Sequence, residues 1–223
     1  AWIDRGIAHW LARNSPRNQT ARRRIFGESR RRAHHERNRG EMNHIIGLDP
    51  SLTATGIARY MPDALEMPVI FHTVPTVKET GLQRVIAGRR ETLRDIYPGC
   101  ELVVIEGLSY GSNDPSAQER AFLHYSLRED LLHCGVRCVV CPPTTVKKFV
   151  TGSGAAKKDQ MLLEVFKRWG YSAGNDNEAD AIGLCIIGAC ILGHVQPTTQ
   201  QQREVIEMLL NPKPKAKAKR ARA

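Results

Sequence analysis

Residues 45–60 read Ile-Ile-Gly-Leu-Asp49-Pro-Ser-Leu-Thr-Ala-Thr-Gly56-Ile-Ala-Arg-Tyr60. The apolar run at 45–48 predicts a buried strand, Pro50 and Ser51 open a turn, and 56–60 forms a second strand returning beside the first. Residues 69–74 alternate in polarity and predict a third strand. Working outward, Leu82, Val85, Ile86, Leu93 and Ile96 recur at helical spacing, and Leu102 to Ile105 form a fully apolar fourth strand ending on Glu106. A helix from about 115 to 134 leads into a fifth strand at 136–141, expected to be buried, which Pro142 and Pro143 stop. Helices follow near 144–150 and 158–169. A last long helix opens at Asp176 and is apolar from Ala179 to Leu192, and a short amphipathic piece occupies 205–210.

Three strands in a meander, then helix, strand, helix, strand and further helices, predict an α/β protein of ribonuclease-H-like order: a five-stranded mixed sheet with helices on both faces. The 223 residues suffice for one catalytic domain with extensions. We divide the chain into a basic arm at 1–41 with little fixed structure, a nuclease-like domain at 42–196, and a short helix with a basic tail at 197–223.

Charge supports this division. The arm holds eleven Arg and four acids, and residues 211–223 hold six Lys or Arg and no acid, so of the formal +10 the ends carry +7 and +6 and the stretch between them −3. Both ends fit solvated sequence that binds any polyanion weakly as well as they fit a dedicated role. The sequence shows no membrane span and no secretory leader, which predicts a soluble, intracellular, cytoplasmic protein, with an organelle as the alternative. Cys134, Cys138 and Cys141 beside His133 could be taken for a zinc site, but 138–141 falls in a strand, and reduced core thiols fit all six cysteines.

Asp49 and Glu106 each end an apolar strand, where a charged residue is costly unless something compensates it. Either alone could be a cap or one half of an ion pair. Asp176, Asn177, Glu178 and Asp180 stand at the start of the last helix, where the dipole favours negative charge and capping alone would explain them. Residues three or four apart share a helix face, however, so Asp180 turns inward with the apolar residues that follow it. Carboxylates converging there would repel one another, and hard divalent cations neutralise such clusters, which predicts one or two Mg2+ ions, with Mn2+ as the expected substitute. Metal-assisted hydrolysis of a phosphodiester is the implied chemistry. No P-loop is present and no nucleotide cofactor is expected.

The segments Ile46-Gly-Leu-Asp49-Pro-Ser-Leu-Thr-Ala-Thr-Gly56, Val104-Ile-Glu106, Val146-Lys-Lys-Phe-Val-Thr-Gly152-Ser-Gly154-Ala-Ala-Lys-Lys158-Asp-Gln160-Met161 and Glu178-Ala-Asp180-Ala resemble, in order, RuvC-type Holliday-junction resolvases. The third segment is the most specific, since actin-like ATPases share the first. The resemblance implies a structure-selective endodeoxyribonuclease of recombination and repair, a homodimer acting on four-way DNA junctions. It assigns Asp49, Glu106 and Asp180 as metal-binding catalytic carboxylates, and Lys147 and Lys158 as basic residues meeting DNA near the scissile phosphate, with Lys148 and Lys157 beside them. Where the family supplies a fourth ligand this chain has Asn177, which offers only a neutral carbonyl oxygen, so Asp176 is the alternative. Where the family places an aromatic wedge this chain has Ser109, followed by Tyr110. The helix after Glu106, with Phe122, Leu123, Tyr125 and Leu127, is the expected dimer face, core packing explaining some of those equally well; Arg120 and Arg128 on it are candidate phosphate contacts, with plain surface charge as the stronger alternative. Rival readings are a same-fold nuclease for other branched DNA or RNA hybrids, a junction-binding protein inactivated at Asn177, and an actin-like ATPase.

Overall fold

The computed structural model describes residues 43–62, 69–75, 80–96, 99–109 and 116–212. The two basic ends, at 1–41 and from 213 onward, and Tyr110 lie outside these residues. Among those described are strands β1 (His44–Asp49), β2 (Ala54–Tyr60), β3 (Val69–Pro75), β4 (Cys100–Glu106) and β5 (Arg137–Cys141). Helix α1 (Gly81–Ile96) precedes β4 and α2 (Ala117–His133) follows it; after β5 come α3 (Pro143–Thr151), α4 (Lys158–Trp169), α5 (Asp176–Ile191) and α6 (Gln200–Leu210). No described helix is long and apolar enough to cross a membrane.

The sheet order is β3-β2-β1-β4-β5. The first three strands form the antiparallel meander, while β4 runs parallel to both β1 and β5. Because strand side chains alternate, β1 divides between two cores. Ile45 joins a core under α3, α4, α5 and α6; Ile46 and Leu48 join a second under α1 and α2. Helix α5 lies across β1 and β2 so closely that glycine is required beneath it. A Cβ at Gly47 would overlap the Ala181 carbonyl oxygen and the Cys185 amide nitrogen, and one at Gly56 would overlap the Asn177 carbonyl.

Two expectations change. The fifth strand is an edge strand among the described residues, and its middle residues are only partly buried, because β4 covers one side of it and no described strand covers the other. The last helix begins at Gln200 rather than near Val205, started by Thr199, whose hydroxyl accepts from the Gln202 amide at 3.2 Å. Its Val205 and Ile206 are buried in the α5 core. The cysteines also separate. Cys138 and Cys141 point to opposite sides of β5, and burial pushes their thiols up to about 11 and about 12, so they serve packing rather than a shared zinc ion.

Candidate active site

Three elements deliver one acid each to the same end of the sheet. Asp49 is the last residue of β1 and lies on the α5 side, two places beyond Gly47. Glu106 is the last of β4 and lies on that side too, two places beyond Val104. Leu48 pairs with Ile105 in the parallel ladder, so the next residue of each strand stands beside the other. Asp180 comes from the first turns of α5, immediately before the Ala181 carbonyl that rests on Gly47. The glycines therefore bring the helical acid down to the strand acids.

The acids perturb one another's protonation. Burial, with Asp49 and Asp180 alongside, pushes the Glu106 carboxyl up to about 9, with only Lys147 opposing. Glu106 keeps its proton and donates it to Asp49, which burial raises to about 6 with Asp176 adding and Lys158 countering. Asp180 rises to about 7, again mainly by burial, then by Asp49, with Lys147 and Lys158 acting against. Asp180 Oδ1 is buried and has no hydrogen-bond partner among the described residues. Lys158 pairs with Asp176.

As they stand, no three His, Cys, Asp or Glu side chains among the described residues encircle a common point. An all-oxygen donor set with raised carboxyl pKa values and an orphaned carboxylate oxygen nevertheless fits a hard divalent ion.

The N-cap of α5 explains which of its polar residues are spare. Asn175 accepts the Glu178 amide at 3.0 Å, and its own amide donates to Thr73 Oγ1 at 3.0 Å. Glu178 accepts from Thr73 Oγ1 at 3.0 Å and from the Gly174 amide at 2.8 Å. These bonds seal the helix start to β3, so capping occupies Asn175 and Glu178 and leaves Asp176 and Asp180 out of it. Asn177 donates its side-chain amide to the Ala54 carbonyl at 2.6 Å, pinning α5 to β2. An aspartate there would set a carboxylate against that carbonyl.

A search of characterised proteins finds the crossover junction endodeoxyribonuclease RuvC of Rhodopirellula baltica, 30% identical over 172 residues, spanning 67% of this chain and 87% of that protein. The chain belongs to the RuvC family. Two solved structures of Thermus thermophilus RuvC share the fold: one has a TM-score of 0.52 at 21% identity, the other, in complex with a Holliday junction substrate, 0.54 at 18%. Each covers 70% of this chain and 99% of the RuvC chain. No family model matches the sequence.

The remaining residues singled out by the RuvC resemblance differ in their surroundings. Lys147 and Lys158 act electrostatically on the acids. Lys148 instead pairs with Glu204 of α6 at 2.8 Å. Lys157 is exposed and its amide donates to Gln160 at 3.0 Å, while Met161 is core, so the Gln and Met of the most specific motif start and anchor α4. Ser109 is exposed, and Arg120 reaches back to Ser116 at 3.1 Å. On α2, Leu123 and Leu127 are core, a correction to the expected dimer face; Phe122, Tyr125 and Leu132 remain exposed on one stripe, with Arg128 over the Tyr125 ring. Sequence reasoning overlooked one residue beside the site: buried His124 of α2, whose Nε2 lies 3.0 Å from the Glu106 carbonyl oxygen. No local signal marks it, because its partner is a backbone carbonyl 18 positions away in sequence.

Proposed function

We propose that this protein is a structure-selective endodeoxyribonuclease that resolves four-way DNA junctions by metal-dependent phosphodiester hydrolysis, acting as a homodimer. What carries it is the meeting of Asp49, Glu106 and Asp180 from three separate elements, with Asp180 Oδ1 left unsatisfied, in a RuvC-family chain. These three acids would hold the ion, Mg2+ or Mn2+ by their oxygen chemistry, and Asp176 is the fourth candidate in place of Asn177. Bound there, a divalent ion lowers the pKa of water and stabilises charge at the cleaved phosphate.

The chain's own residues do the rest. Asp49, with the lowest of the three raised pKa values, is the first of them to lose its proton and so the first to be free to hold a cation. Lys147, which already faces Glu106 and Asp180, offers a positive charge to the phosphate. Lys158, three-quarters exposed, can leave Asp176 for DNA once that carboxylate has another partner. The exposed stripe of Phe122, Tyr125 and Leu132 supports dimerisation through α2, which would give a symmetric junction two sites for its two symmetric strands.

Nicking assays on a synthetic four-way junction, a fork, linear duplex and an RNA–DNA hybrid, each in Mg2+ and in EDTA, test the proposal. Paired nicks across the junction in Mg2+, with little cutting of the others, are expected. Tight junction binding without cleavage in any divalent metal would favour a binding protein disabled at Asn177.

A further inference from the structure

If Glu106 is one of the working acids, as proposed above, the way its strand end is held matters to the site. In β4 the Gly107 amide donates to the Cys141 carbonyl of β5 at 2.8 Å, so odd-numbered residues there turn their backbone groups to β5 and even-numbered ones, Glu106 included, turn them to β1. In β1 the His44 amide donates to Gly99 at 3.3 Å on the β4 side, so even-numbered residues of β1 face β4. With Leu48 beside Ile105, the next ladder donor due at the Glu106 carbonyl is the amide of residue 50. Residue 50 is proline and has none.

His124 supplies what is missing. Its Nε2 lies 3.0 Å from that carbonyl oxygen, and because a carbonyl only accepts, Nε2 carries the hydrogen. The ring is 4% exposed, and its Nδ1 is buried with no hydrogen-bond partner among the described residues. A leucine would fill similar space without burying an unsatisfied nitrogen, so packing alone does not explain an imidazole here. Burial, reinforced by Arg128, also lowers its pKa. The bond ties the catalytic strand end to α2, whose next residue, Tyr125, meets the His124 ring edge-on at 5.6 Å and belongs to the exposed stripe.

We propose that His124 is a positioning residue: its Nε2–H replaces the ladder donor that Pro50 lacks and holds the Glu106 strand end level with Asp49. The test compares His124→Leu, which has no donor, with His124→Gln, whose amide has one. Mn2+ binding to the DNA-free protein, junction affinity and single-turnover cleavage are each measured. The Leu variant should bind the junction as the unaltered protein does, while Mn2+ affinity and cleavage fall together by roughly 10- to 100-fold; the Gln variant should recover most of both. Pro50→Ala restores the missing amide, so in that background His124→Leu should cost far less, and this comparison serves if the single Leu variant does not fold. Unchanged Mn2+ affinity in the Leu variant, equal losses for Leu and Gln, or an undiminished loss in the Pro50→Ala background would overturn the proposal. An unaltered protein that neither binds Mn2+ nor cuts junctions would instead remove the functional reading itself.

Discussion

The two faces of the sheet are packed by different means. Under α5, backbone rests on backbone: Gly47 and Gly56 lie beneath the helix, and its own Gly183 and Gly188 admit neighbours so close that a Cβ would stand 2.6 Å from Val150 Cγ2 and from Ile45 Cγ2. Under α1 and α2, side chains separate the layers, and the two helices are joined by charged pairs such as Arg89 with Asp130 at 2.5 Å and Arg84 with Glu119. The acids sit on the face with the closest contact. Side-chain packing tolerates shifts that backbone contact does not, so the tighter face is where a carboxylate can be positioned to within a fraction of an ångström.

The largest expected effect separates the two faces directly. Gly47→Ala forces a methyl into the Ala181 carbonyl and should cost about 3 kcal/mol or more, or prevent folding. Gly88→Ala in α1, where a Cβ would meet nothing within 4 Å, should be neutral or stabilising by up to about 1 kcal/mol. Urea unfolding of both variants measures the contrast, and similar losses at the two positions would break it.

Asp49→Asn should leave folding and junction binding intact while junction nicking in Mg2+ falls at least about 100-fold. In EDTA the same face should make stability pH-dependent. Unfolded carboxyls release their protons near pH 4, whereas Asp49, Asp180 and Glu106 hold theirs to about 6, about 7 and about 9. The folded state therefore binds more protons in that window, and stability, full below about pH 4, should fall as pH rises through those values. Thermal unfolding across pH 4 to 9 measures it; Asp180→Asn should flatten the slope, and saturating Mg2+ should oppose it.

Asn177→Asp exchanges a 2.6 Å donor bond for a carboxylate facing the Ala54 carbonyl, and should lower metal-free stability by about 1–3 kcal/mol. Smallest is Lys148→Ala, which removes a solvent-exposed pair with Glu204 and should leave the urea midpoint and junction affinity nearly unchanged.

Much of the architecture was legible because its signals are local. The run from Ile45 to Leu48 ending in Asp49, its counterpart from Leu102 to Glu106, and the apolar helix after Asp180 identify both the elements and the acids they carry. What escaped depends on distant partners. Whether Leu123 and Leu127 are core or interface is decided by the sheet beneath them, and the burial of β5 by its place at the edge. The task of Asn177 is set by a carbonyl 123 positions away in sequence. The start of α6 could have been recognised: Thr199 followed by Gln202 is a capping pattern, obscured by a polar first turn.

The most direct measurement is the stoichiometry and affinity of Mn2+ binding, followed by electron paramagnetic resonance, in the intact chain and in Asp49→Asn and Asp180→Asn. The account predicts saturable binding to the intact chain that weakens sharply in both variants, with Mg2+ competing for the same site. Equal Mn2+ binding by all three proteins would contradict it.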